Sequence, residues 1–185
     1  MPSRRAYTLI ELLMVITIMG IAATLLIPHM VGSGSMNAQA AARLIIADLS
    51  FAQSDGLAHQ EYRRVHFYED DSGYCIVRVT QADFDADFDP DTADYIHDPL
   101  GSSGQFSPYV VDFSLDDRFK GVSIIDVEID GDGRDISYDA MGGTVMPSTG
   151  GIMPGIGGSI TVTSPDESYR IDVAPFTGKL TVTKL

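Results

Sequence analysis

Acidic side chains are the residues of this sequence best able to do chemistry. Glu128, Asp130, Asp132 and Asp139 stand at positions 1, 3, 5 and 12 of a twelve-residue stretch with Gly133 at position 6. That is the spacing with which carboxylate oxygens surround Ca²⁺ in a calcium loop. Asp135 occupies the place where such a loop usually carries an apolar residue, and Ile136 comes one position late. Asp130-Gly131-Asp132-Gly133 between two alternating apolar runs also reads as an ordinary hairpin turn. Both readings stand, and Ca²⁺ is the one cofactor the sequence offers. Asp83, Asp85, Asp87, Asp89 and Asp91 alternate in a second cluster. It lacks the glycine and closing bidentate Glu of a calcium loop, so a solvated acidic loop is expected there.

A third acid stands alone. Glu11 lies near the start of an apolar run, and Leu12 to Ile27 carry no charge. A carboxylate there is expensive in a bilayer and calls for a partner, unless it reaches the headgroup layer. Other reactive groupings are missing. His29, His59, His66 and His97 lack metal-ligand spacing. There is no Gly-x-Ser-x-Gly elbow and no Cys/His nucleophile context. Gly150 to Gly158 lacks phosphate-loop spacing and reads as a mobile loop. Nothing places two acids in one cleft, so the chain is not expected to be an enzyme. Cys75, the single cysteine, cannot form an intramolecular disulfide and reads as a buried, inert thiol in a strand rather than a reactive one.

These residues must be carried by one compact domain and an appended segment, for which 185 residues suffice. The appended segment is N-terminal. Arg4 and Arg5 precede about twenty predominantly apolar residues, roughly enough to cross a ~30 Å hydrocarbon core. No basic cluster follows until Arg43, so the positive-inside bias keeps the N-terminus cytoplasmic. The run is longer than a secretory h-region, ends at Pro28 and lacks an Ala-x-Ala site. Net charge is −14, and setting aside Arg4 and Arg5 leaves −16. That balance argues against a general nucleic-acid role.

Val31 to Ser35 reads as a helix-weakening joint. From Asn37 to about His59, Ala38, Ala41, Ala42, Ile45, Leu49 and Ala52 follow three- and four-residue spacing, with Arg43, Asp48 and Asp55 on other faces. This predicts a helix whose apolar stripe lies on a sheet. Beyond Tyr62 the period becomes two. Val65–Tyr68 and Tyr74–Val79 predict a hairpin, with further strands near 109–113, 122–129, 136–138, 159–163, 169–173 and 180–183. The expected fold is α+β: a long N-terminal helix, transmembrane then amphipathic, packed on an antiparallel β-sheet head.

Arg4-Arg5-Ala6-Tyr7-Thr8-Leu9-Ile10-Glu11-Leu12-Leu13-Met14-Val15-Ile16 resembles the class III signal of type IV pilins and type II secretion pseudopilins. The resemblance implies that prepilin peptidase cuts between Ala6 and Tyr7 and that the new amine of Tyr7 is methylated. The expected parts are then a leader (1–6), a membrane half-helix (7–28), an amphipathic half-helix (29–60) and a periplasmic β-rich head (61–185). It also makes Glu11 the fifth mature residue, the family's glutamate, which pairs with a neighbouring subunit's amine. Ala6 replaces the usual Gly and Tyr7 the usual Phe, so slower processing is expected. Residues 44–54, 135–143, 158–162, 169–173 and 177–182 further resemble the minor pseudopilin H and FimT-like group. The resemblance implies a single-pass inner-membrane protein, assembled through its helix with other pseudopilin or pilin subunits and the membrane assembly platform, supporting type II secretion. The alternative is a FimT-like minor pilin that binds DNA, for which Arg170, Lys179 and Lys184 are the candidate cations.

Overall fold

The computed structural model describes residues 8–31, 33–99, 106–131, 133–149 and 151–185, without the side chains of 24–31 and 33–35. Contacts divide the chain into two units, 1–33 and 34–185. In the first, helix α1 runs from Leu9 to Val31. It therefore continues past Pro28, where the apolar run was expected to stop. Between Leu9 and Ile21 its large apolar side chains are exposed all round the helix, a pattern that calls for an apolar environment on every side. Among the described residues no helix is long and apolar enough to cross a membrane. The span expected over 7–28 begins before these residues and runs into positions whose side chains are not described.

The second unit holds helix α2 (Ser33–His59). It starts earlier than the expected Asn37, so Ser33, Gly34 and Ser35 are helical, while Gly32 of the expected joint lies outside the described residues. The expected stripe is fully realised: Ala38, Ala41, Ala42, Ile45, Leu49 and Ala52 are each at most 2% exposed. Small residues let the helix lie close to the sheet, and Ile45 and Leu49 supply the bulk that fills the interface. Fully burying each of those two side chains contributes roughly 1.5–3 kcal/mol.

Among the described residues eleven strands follow: β1 (Tyr62–Phe67), β2 (Gly73–Val79), β3 (Asp94–Tyr95), β4 (Val110–Asp112), β5 (Ser123–Ile129), β6 (Asp135–Tyr138), β7 (Thr144–Ser148), β8 (Gly151–Pro154), β9 (Gly158–Thr163), β10 (Ser168–Val173) and β11 (Leu180–Lys184). One sheet has the order β3-β2-β1-β6-β7-β8, with β4 also on β2, and the other is β11-β10-β9-β5. All pairings are antiparallel, among them the expected hairpin in which Phe67 faces Tyr74 and the last hairpin in which Val173 faces Leu180. The period of two sorts the side chains. Val65, Phe67, Tyr74 and Ile76 join the core with the α2 stripe. Cys75, Val77 and Val79 face outward, where they meet Phe84 in a second cluster.

Two expectations for the head are corrected. The stretch from Gly150 to Gly158 is not simply a mobile loop: from Gly151 to Pro154 it forms β8, paired with β7, and it leads into β9. Its glycines serve close backbone approach. A Cβ on Gly158 would stand 2.0 Å from the Glu128 carbonyl oxygen, and one on Gly157, at φ +80°, 2.3 Å from that of Val173. Only glycine fits such a crossing. The acidic segment is also more than a solvated loop. Its aspartates are exposed, but Phe84 is buried and Phe88 half-buried against the outer face of the large sheet. The alternation of Asp and Phe is the signature of a strap with one wet and one dry side.

Candidate functional site

The lone acid of the apolar run is placed at the first turn of α1. Thr8 precedes the helix, and Glu11 lies three residues on, the spacing of a capping box. The Thr8 main-chain N–H donates to Glu11 Oε2 and the Glu11 N–H to Thr8 Oγ1, both at 3.3 Å. The helix start would otherwise leave the Thr8 N–H without a partner, while the Glu11 N–H also donates to the Thr8 carbonyl at 3.1 Å. A negative group there also complements the positive end of the helix dipole. Ala6 and Tyr7 lie outside the described residues.

Within the head, a polar group is driven into the core where the sequence reading placed it elsewhere. Asp48, expected on another face of α2, is 4% exposed. Its Oδ1 accepts from the Tyr109 hydroxyl at 2.9 Å and its Oδ2 from the Tyr74 hydroxyl. Burial raises the Asp48 pKa, and the two phenol bonds oppose that rise only in part. Burial and the facing carboxylate push the Tyr74 hydroxyl well above its ordinary value. The signal was in the spacing: Asp48 is three residues after Ile45 and four before Ala52, within the stripe itself. A buried carboxylate with two phenols fixes the position of α2 on β2 and on the chain entering β4.

A second polar node lies on the outer face of the large sheet. Arg64, 5% exposed, donates to the carbonyls of Phe84 and of Ala86, the latter at 3.1 Å. Its guanidinium lies 5.2 Å from the centre of the Phe84 ring and 3.6 Å from Asp135. His66 pairs with Asp135 at 2.6 Å and stacks on Phe88 with ring centres 4.0 Å apart. These contacts tie the acidic strap to β1 and β6. The Cys75 thiol lies under this layer, fully buried, and burial pushes its pKa up to about 11. That is the environment of an inert thiol.

The four candidate calcium ligands are distributed as follows. Glu128 is exposed near the end of β5. Asp130 Oδ1 accepts from the N–H groups of Ile156 and Gly157 at 2.7 and 3.1 Å. Asp139 Oδ1 accepts from those of Met141 and Gly143 at 2.9 and 2.8 Å. Asp132 lies outside the described residues. Among the described residues no three His, Cys, Asp or Glu side chains are grouped to hold a metal ion. Ile129 and Gly133 exchange two backbone hydrogen bonds of 2.9 Å, which closes a tight turn. This turn does not join two paired strands. β5 belongs to the small sheet and β6 pairs with β1, so the turn carries the chain from one sheet to the other.

The candidate nucleic-acid cations are largely engaged. Arg170 pairs with Asp172 at 3.0 Å and Lys184 with Glu167 at 2.6 Å, whereas Lys179 is exposed.

Comparison with known proteins adds two findings. Residues 1–27 match the family model described as the prokaryotic N-terminal methylation motif. The fold is similar to that of the minor pseudopilin EpsH from the type 2 secretion system of Vibrio cholerae, with a TM-score of 0.51 and 13% identity over 80% of this chain and 97% of that one. No curated protein sequence matches the chain significantly.

Proposed function

We propose, from the premise that the chain is a type IV pilin-like protein by N-terminal motif and by fold, that it is a minor pseudopilin supporting type II secretion. Prepilin peptidase cuts between Ala6 and Tyr7, and Tyr7 becomes the methylated N-terminus. α1, 23 residues long, covers about 34 Å at 1.5 Å per residue and anchors the subunit in the inner membrane with its head in the periplasm. The apolar side chains exposed from Leu12 to Ile21 suit both a bilayer and the packed helices of a fibre. During assembly the Glu11 carboxylate receives the charged amine of a neighbouring subunit. In a low-dielectric bundle that pairing is strengthened, and a subunit in the wrong register would bury two unpaired charges.

One observation carries this reading: a prepilin-type motif heads a chain whose α+β fold is shared with a minor pseudopilin. The same comparison supports secretion as the process served. The DNA-binding alternative has less support. Two of its three cations are occupied by carboxylates, and the chain carries a net charge of −14, which opposes a polyanion. Deleting the gene and measuring both extracellular protein export and uptake of added DNA separates the two. Loss of export with normal DNA uptake is expected, and the reverse pattern overturns the secretion reading.

A further inference from the structure

Strand margins with open hydrogen-bonding groups invite pairing with another chain, and proteins usually blunt them. Most margins of these two sheets are blunted. β3 and β4 are two and three residues long. β8 ends on Pro154 and pairs with a strand containing Pro147. β5 has a bulge between Ile125 and Glu128, with Asp126 at φ +50° and exposed carboxylates at Asp126 and Glu128. β11 differs from all of these. Leu180-Thr181-Val182-Thr183-Lys184 runs in unbroken register along β10, without proline, glycine, bulge or acid.

The free side of β11 can be read from its ends. Ala174 N–H donates to the Lys179 carbonyl at 2.9 Å and Leu185 N–H to that of Ser168 at 3.0 Å. Antiparallel alternation then turns the N–H and C=O of Thr181 and Thr183 toward β10, and those of Leu180, Val182 and Lys184 outward. Among the described residues no strand lies on that outer side. Thr181, Val182, Thr183 and Lys184 are also all exposed, while Leu180 packs against the core.

We propose that β11 is a self-association seam, where a second copy of this chain pairs antiparallel about a two-fold axis at Val182. The sequence of the strand fits its own reverse. Val182 faces Val182, Leu180 faces Lys184 and Thr181 faces Thr183, so no like charges stand opposite each other. The Lys184 ammonium is already neutralised by Glu167 at 2.6 Å. On a chain of net charge −14 most approaches between copies are repulsive, and a strand margin without a carboxylate is where two copies meet at least cost. Pairing joins two four-stranded sheets into one continuous sheet.

The test uses the full chain in detergent micelles, with Cys75→Ser to remove the native thiol. Facing Cα atoms in a hydrogen-bonded antiparallel pair are about 5.5 Å apart, within the span a disulfide bridges. Val182→Cys under mild oxidation should give a species of twice the 20.0 kDa chain mass. Leu115→Cys, at a position 85% exposed, should give at least about tenfold less. Val182→Lys, which opposes two cations across the axis, should abolish the dimer in light scattering, whereas Val182→Thr should keep it, both with wild-type circular dichroism. Equal cross-linking at 182 and 115 overturns the proposal. So does a dimer untouched by Val182→Lys, or, in cells, cross-linking of the Val182→Cys variant to a different protein only.

Discussion

Thr8 and Glu11 hold each other across the first turn of α1, each main-chain N–H donating to the other's side-chain oxygen at 3.3 Å. The glutamate thus has a task before any neighbour arrives. Capping uses Oε2, and in the proposed assembly Oε1 would accept from the incoming amine. The proposed subunit pairing would thus share one carboxylate with the start of the helix.

Glu11→Gln separates these two tasks, because a glutamine also closes a capping box but carries no charge. The variant should be processed normally and keep its helix content, yet enter fibres roughly a hundredfold less well, the scale expected when a buried charge loses its partner. Wild-type incorporation in a sheared-fibre assay contradicts the pairing account.

Asp48 should leave a signature in the pH dependence of stability. Its pKa is raised by burial above the ordinary 3.8, so the folded state holds its proton more tightly than the unfolded state. Its contribution to stability is therefore full below pH 3.8 and is lost as pH rises through the raised value. Asp48→Asn removes that dependence. Urea midpoints from about pH 4 to about pH 7 should shift in favour of the Asn variant as pH rises. A constant difference between the two proteins would show that Asp48 is not perturbed in this way.

Arg64→Ala should release the acidic strap, since the guanidinium holds the carbonyls of Phe84 and Ala86. Loss of stability of roughly 1.5–3 kcal/mol is expected for hydrogen bonds to a charged group. Limited proteolysis should show new cuts between Thr80 and Ala93. An unchanged digestion pattern would mean that Phe84 and Phe88 hold the strap unaided.

Gly158→Ala should cost about 3 kcal/mol, the upper end for overpacking, because its Cβ would stand 2.0 Å from a carbonyl oxygen. Gly151→Ala, with nothing within 4 Å of the added carbon, is the matched control. Thermal melts of the two variants compare them directly, and equal melting temperatures would count against the tight crossing of β9 and β5.

Much of this fold was legible in the residues because it follows from periodicity. The stripe from Ala38 to Ala52 and the alternation from Val65 to Val79 each report which side of an element is buried. The pairing of β1 with β6, and the sheet change at Asp130, depend on contacts between distant segments that local spacing does not encode. Asp48 was misplaced because acids are normally expected in water, and its burial depends on two tyrosines 26 and 61 residues away. The glycines near 150 read as looseness, although at Gly157 and Gly158 they mark the tightest packing. Glu11 stood out at once, since a single acid in an apolar run has few ordinary explanations. Its reciprocal bond to Thr8 followed from a spacing of three that the sequence displays but that the apolar context overshadowed.

The central claim is that this chain is a prepilin whose mature form begins at Tyr7. Intact-mass and N-terminal sequencing of the protein from membranes of cells with and without prepilin peptidase test it most directly. The account predicts that only cells with the peptidase yield a chain lacking residues 1–6 and carrying a methyl group on the Tyr7 amine. An N-terminus that is the same in both strains, or a cut beyond the apolar run, would contradict it.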